Sequence, residues 1–143
     1  MEFLASLIII AFGFFNIHID SIPLSRGEHG LLIVPCSFEI GDYKKYGDCL
    51  YDTGANLSGI TDKELPNILK NRTVRFKVMT LLSATGESKT YSFEYDKLTS
   101  GTLAHKNGQY IFIPMPDNML GILGSPLVNG RNVIILKNRI IVL

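Results

Sequence analysis

The residues best equipped for chemistry lie together, in Cys49-Leu50-Tyr51-Asp52-Thr53-Gly54-Ala55-Asn56. An apolar lead-in delivers an ionisable carboxylate, and a hydroxyl, a glycine and a small residue follow it. A carboxylate at the end of a buried strand can be held among backbone N–H groups. Thr53 can lock the loop through its hydroxyl, and Gly54 lets the backbone pass close to another chain or a ligand. An Asx-turn at a strand end would use the same residues, so Asp-Thr-Gly alone does not separate a reactive carboxylate from a turn. The other reactive side chains are dispersed. His18, His29 and His105 stand far apart with no carboxylate at ligand spacing, which argues against a metal site. Cys36 and Cys49 are too few for a disulfide scaffold and lack the partners of a structural zinc site. They flank the first turn, which leaves a cross-strand disulfide and two buried thiols both open. Buried thiols are favoured, because free cysteine behaves as a small hydrophobe.

A strand must stand behind Asp52 for this chemistry to hold. Past residue 20 the chain breaks every eight to twelve residues at Gly, Pro, Asn or Asp, with Ile, Val, Leu, Phe and Tyr between, the pattern of a small all-β domain. Leu31–Ile40 and Gly47–Tyr51 flank a turn at residues 41–45, giving a hairpin whose second strand runs into Asp52. Thr73–Leu82 and Lys89–Tyr95 flank a small polar tip at Ser83–Ser88, a second hairpin with Gly86 able to take a positive φ. Gln109–Ile113 reads as a strand ended by Pro114 and Pro116. Val133–Leu136 and Ile140–Leu143 form a closing hairpin. Helix is scarce. Thr61–Asn71 has Thr61 as a cap with Glu64 three residues on, limited by Pro66, and a short turn follows Ser125 with Pro126 at its first position.

The whole chain has 143 residues, room for one ordinary domain. Fourteen Lys and Arg against thirteen Asp and Glu give a net charge of +1 with no long run of either sign, which excludes a phosphate-neutralising nucleic-acid surface. At 46% hydrophobic and 19% charged residues the chain can bury a core, which excludes general disorder. Residues 3–19 (FLASLIIIAFGFFNIHI) carry no charged Asp, Glu, Lys or Arg and fall short of the roughly 20 apolar residues of a spanning helix. Their length suits an export signal, and a membrane anchor or a first buried element of the domain stay open beside it. The expected division is residues 1–20 as signal peptide or anchor and 21–143 as the domain. The expected location is secreted or periplasmic, with membrane association through residues 3–19 if they are retained.

Asp52-Thr53-Gly54-Ala55 with its apolar lead-in resembles the motif of the retropepsin-like, retroviral-type aspartic proteases. Two further segments carry the resemblance. The Ser83–Ser88 hairpin falls where that family has its flap, and Ala84-Thr85-Gly86-Glu87 looks like its tip. Met119-Leu120-Gly121-Ile122-Leu123-Gly124 looks like the apolar-apolar-Gly segment before the family's short C-terminal helix. The resemblance implies an all-β acid-protease barrel with one short C-terminal helix, half of a pepsin-like bilobal fold. It implies an endopeptidase that uses no cofactor or metal.

In such an enzyme a water lies between two carboxylates, one acting as base and the other as acid, and mutual repulsion keeps one of them protonated. A mildly acidic optimum follows. This chain has one Asp-Thr-Gly, because Asp20, Asp42, Asp48, Asp62, Asp96 and Asp117 all lack a following Thr/Ser-Gly. The second Asp52 must therefore come from another copy, in a homodimer acting on a protein or peptide substrate. By resemblance, Asp52 is the catalytic acid/base and Thr53 and Gly54 support its loop. Ala55, Asn56, Ala84, Thr85, Gly86 and Glu87 contact substrate, and Leu120, Gly121, Ile122, Leu123 and Gly124 pack behind the site. Arg139–Leu143 is the segment to interleave with a partner's terminus, as in viral members. Asn56 departs from the Ser, Thr or Asp common after the motif. Two other readings stand beside the protease: a catalytically silent dimerisation or peptide-binding module of the same fold, and an exported structural domain in which Asp52 is a turn residue.

Overall fold

Strand-forming runs joined by tight turns make up most of the residues that the computed structural model describes, 18–70 and 74–143. The strands are β1 (Asp20–Pro23), β2 (Ser25–Arg26), β3 (Leu32–Ile40), β4 (Tyr43–Tyr51), β5 (Ser58–Thr61), β6 (Phe76–Ser83), β7 (Gly86–Ser100), β8 (Leu103–Ile113), β9 (Gly121–Leu123), β10 (Val133–Ile135) and β11 (Arg139–Val142). Among the described residues one α-helix, α1 (Leu65–Leu69), follows a 3-10 turn at Asp62–Glu64. The Thr61 hydroxyl oxygen accepts from the Lys63 N–H at the start of that turn, as its capping pattern predicts. The piece after Ser125 is a single 3-10 turn, Ser125–Leu127, with Pro126 near its start. Residues 1–17, which hold most of the expected signal or anchor, lie outside the described residues. So do residues 71–73, at the end of the expected helix and the start of the expected flap strand. Among the described residues no helix is long and apolar enough to cross a membrane.

β3, β4, β9, β5, β8 and β7 follow one another through hydrogen-bonded ladders, and β7 pairs back onto β3, so six strands close a barrel. The β4–β9 and β5–β8 pairs are parallel and the other pairs of the ring antiparallel. Val34, Phe38, Ile60, Leu98, Tyr110 and Leu123 are fully buried inside it. Tyr110 is packed between Phe38, at 5.0 Å between ring centroids, and Tyr95, at 3.8 Å.

Both hairpins run closer to their tips than the polar residues suggest. β3 and β4 turn at Gly41–Asp42, not over residues 41–45, and Gly41 supplies the positive φ of 57°. Lys44 and Lys45 belong to the strand: Lys44 sits opposite Glu39 and pairs with it at 3.0 Å, so a polar cross-strand pair had the look of a loop. The β6–β7 hairpin is ladder-paired up to Ser83 and Gly86, so most of the expected tip at Ser83–Ser88 is strand. β7 then runs on to Ser100 and turns at Gly101–Thr102 into β8, a long hairpin whose outward face is polar enough to have read as loops.

Cys36 and Cys49 are buried, as expected, but form a disulfide with a Cα–Cα separation of 5.9 Å. This overturns the preference for two thiols. The register puts Cys36 opposite Gly47 and Cys49 opposite Val34, so the cysteines are diagonal neighbours on one face, within bonding reach across a twisted hairpin.

A separate sheet of order β1-β11-β10 gathers the two ends of the domain. Arg131 clasps it: the guanidinium pairs with the buried Asp20 carboxylate at 2.6 Å and donates to the His18 and Val142 carbonyls. β11 is the central strand, flanked on both sides by its own chain. Within the single chain, the Arg139–Val142 strand of the expected interleaving segment pairs with its own β1 and β10.

Candidate active site

β4 ends at Tyr51, and the next residue, Asp52, begins a loop that returns to the barrel at β5. The Asp52 N–H donates to the Leu123 carbonyl at 2.9 Å, and the Ala55 N–H donates back to the Asp52 carbonyl at 3.2 Å. The Gly54 N–H donates to Oδ1 of Asp52 at 2.9 Å. One carboxylate oxygen is thus fixed by the backbone of its own motif. Asp52, Thr53, Gly54 and Asn56 are exposed, and Ala55 is half-buried. Tyr51 below them is buried, which pushes its phenol above the ordinary range.

β9 holds this loop from behind. It is inserted between β4 and β5, parallel to the first (Cys49 with Gly121, Leu50 with Ile122, Tyr51 with Leu123) and antiparallel to the second (Gly59 with Ile122, Ile60 with Gly121). Both feet of the Asp52 loop are therefore gripped by one short strand. Leu120 adds two bonds, donating to Asp48 at 2.7 Å and accepting from Thr61 at 2.8 Å. Beyond β9, the Ser125 N–H donates to the Ala55 carbonyl at 2.8 Å. Gly124 sits so close that a Cβ there would lie 2.5 Å from the Leu57 carbonyl oxygen and 2.7 Å from that of Ala55. Only glycine fits this approach.

The structure places the loop of Asp52, Thr53, Gly54, Ala55 and Asn56 against the segment of Leu120, Gly121, Ile122, Leu123 and Gly124. Ala84, Thr85, Gly86 and Glu87 are exposed at the far end of the β6–β7 hairpin, joined to β9 through β5 and β8. One residue at the site was not legible in the motif. Ser58 is 2% exposed, and its hydroxyl oxygen accepts from the Gly124 N–H at 3.0 Å, tying the end of the Asp52 loop to the segment behind it. Its only sequence signal is a serine shortly after the motif, opening the short strand Ser-Gly-Ile-Thr. Among the described residues no group of three His, Cys, Asp or Glu side chains is gathered as a metal site would need.

The barrel and its inserted β9 have a counterpart among solved structures. The crystal structure of a retropepsin-like aspartic protease from Rickettsia conorii is similar over 87% of this chain and 91% of that one, with a TM-score of 0.59 and 20% sequence identity. The chain has the retropepsin-like fold. No family model matches its sequence, and no curated protein matches it. The fold likeness therefore comes from backbone geometry where sequence similarity is weak. In this retropepsin-like barrel the Asp-Thr-Gly turn lies where β4, β9 and β5 meet, open to solvent on one side and backed by protein on the other.

Proposed function

We propose that the chain is an aspartic endopeptidase whose active site is completed by a second copy, each contributing its Asp52. The observation that carries this reading is the Asp52 carboxylate itself. It stands in an Asp-Thr-Gly turn of a retropepsin-like barrel, with Oδ1 held by the Gly54 N–H and the rest of the carboxylate exposed. With two such groups side by side, one ionised and one protonated, the ionised Asp52 takes a proton from water and the oxygen attacks the scissile carbonyl. The protonated Asp52 gives its proton to the carbonyl oxygen. Collapse of the tetrahedral intermediate breaks the C–N bond as the amine takes up a proton. Thr53 has an exposed side chain without a hydrogen bond among the described residues, and it is the group to brace the partner's loop. The Ala84–Glu87 tip closes over an extended peptide. A disulfide in a chain with an apolar stretch at residues 3–19 supports an oxidising, secreted or periplasmic setting.

The test is cleavage of a mixed peptide library by the full chain between pH 4 and pH 9, beside Asp52→Asn. Wild type is expected to cut best in mild acid and to lose activity as the shared proton is lost at higher pH, with the variant at least about 100-fold slower throughout. A variant that cuts as fast as wild type would remove Asp52 from the chemistry.

A further inference from the structure

We propose that the hollow at the foot of the β6–β7 hairpin is a second binding site, for a short peptide of two or three residues with both termini free and charged. The proposal does not rest on the protease reading and concerns a different part of the barrel.

The hollow holds about 410 Å³, within the range of about 300–1,000 Å³ usual for small-molecule sites. No residue of the Asp52 loop, β9 or the Ala84–Glu87 tip lines it. The ladders explain its polar walls. β6 sets Lys77 opposite Ser92 of β7, and β7 sets Glu94 opposite Gln109 of β8. Strand alternation puts Ser92, Glu94 and Asp96 on one face of β7, and Arg75, just before β6, lines the hollow with them. The Gly41 N–H donates to Oδ2 of Asp96 at 2.6 Å, which fastens the β3–β4 turn as a further wall. Ile40 and Val74 give the lining an apolar part.

Two features separate this hollow from an ordinary charged surface. Elsewhere the barrel pairs opposite charges across a ladder, as Lys44 does with Glu39 at 3.0 Å. Here Arg75, Lys77 and Glu94 form no ion pair among the described residues, although all three line one hollow. Both signs are therefore available to a ligand that carries both. Ser92 is 4% exposed, yet its hydroxyl has no hydrogen-bond partner among the described residues. A buried hydroxyl left unpaired costs free energy, which a ligand amide bonded to it would relieve.

The lining selects the ligand. Arg75 and Lys77 suit a carboxylate, and Glu94 with Asp96 suits an ammonium group. A free amino acid carries both charges on one Cα. A peptide of two or three residues separates them by one or two Cα steps of about 3.8 Å, enough to span from β6 to the carboxylates of β7, and it brings amides for Ser92 and Gln109.

Calorimetric titration of the full chain with leucyl-leucine at pH 7 tests this. Its N-acetyl form lacks the ammonium, its C-terminal amide lacks the carboxylate, and free leucine lacks the length. Leucyl-leucine is expected to bind once per chain, and each of the other three at least about 10-fold more weakly. Arg75→Ala should bind leucyl-leucine and its amide alike, and Glu94→Gln should bind leucyl-leucine and its N-acetyl form alike. Both side chains are exposed, so both variants should keep the wild-type unfolding midpoint. Undiminished binding by the two variants would place the peptide elsewhere and overturn the proposal. So would leucine binding as tightly as leucyl-leucine, or no binding at millimolar peptide. The titration reads binding alone, so its failure leaves the protease reading to stand or fall on Asp52→Asn.

Discussion

Among the described residues one oxygen of the Asp52 carboxylate is committed, to the Gly54 N–H, and the loop that carries it is largely exposed. The rigidity of that loop comes from behind, and Ser58 is the residue where this can be tested. Its hydroxyl satisfies a buried Gly124 N–H, so Ser58→Ala leaves that donor without a partner. The expected cost is about 1–3 kcal/mol of folding stability, with a loss of peptide cleavage beyond the loss of folded protein. Denaturant unfolding read beside the peptide assay checks both. A variant with wild-type midpoint and rate would show that the Ser58–Gly124 bond does not hold the loop. Asp52-Thr53-Gly54 was legible from sequence because its residues stand side by side in the chain, although the Asp52 N–H bonds to the distant Leu123 carbonyl. Ser58 was not, because its partner lies 66 residues along the chain and only the β9 crossing brings them together.

At the scale of elements, β4 is the strand that aims Asp52, and the Cys36–Cys49 disulfide bonds it to β3 a short way before the motif. The bond closes a loop of 13 residues, for which the chain-entropy argument gives about 3 kcal/mol. The double substitution Cys36→Ala with Cys49→Ala is therefore expected to lower stability by about that amount, and reduction of wild type to bring its unfolding midpoint to that of the variant. Equal midpoints for wild type with and without reductant would mean that the disulfide constrains nothing of consequence. The positions of β3, β4 and the β6–β7 hairpin were readable from alternating apolar residues and turn glycines, yet their ends were not. Lys44 opposite Glu39 and the paired Ser83 and Gly86 are polar residues held in ladders, where a single sequence reads loop. The cysteine pairing was hidden for a related reason: it depends on register, and a diagonal pair is invisible until the turn at Gly41–Asp42 is fixed. The inserted β9 was legible as an apolar segment with glycines at Gly121 and Gly124, though not its placement between β4 and β5.

At the scale of the whole molecule, one barrel presents one Asp-Thr-Gly carboxylate at an open surface, while the reaction needs two that share a proton. Among the described residues the terminal sheet has β11 at its centre, between β1 and β10 of its own chain. In the proposed two-chain enzyme, activity should follow the concentration of paired chains. The most direct test of the shared site is a mixing series, in which full-length wild type is equilibrated with increasing Asp52→Asn at constant total protein. If each site needs an Asp52 from both chains, activity falls as the square of the wild-type fraction, to about a quarter in an equal mixture. A fall to about half, in proportion to the wild-type fraction, would mean that each chain works alone and would contradict the paired-carboxylate account.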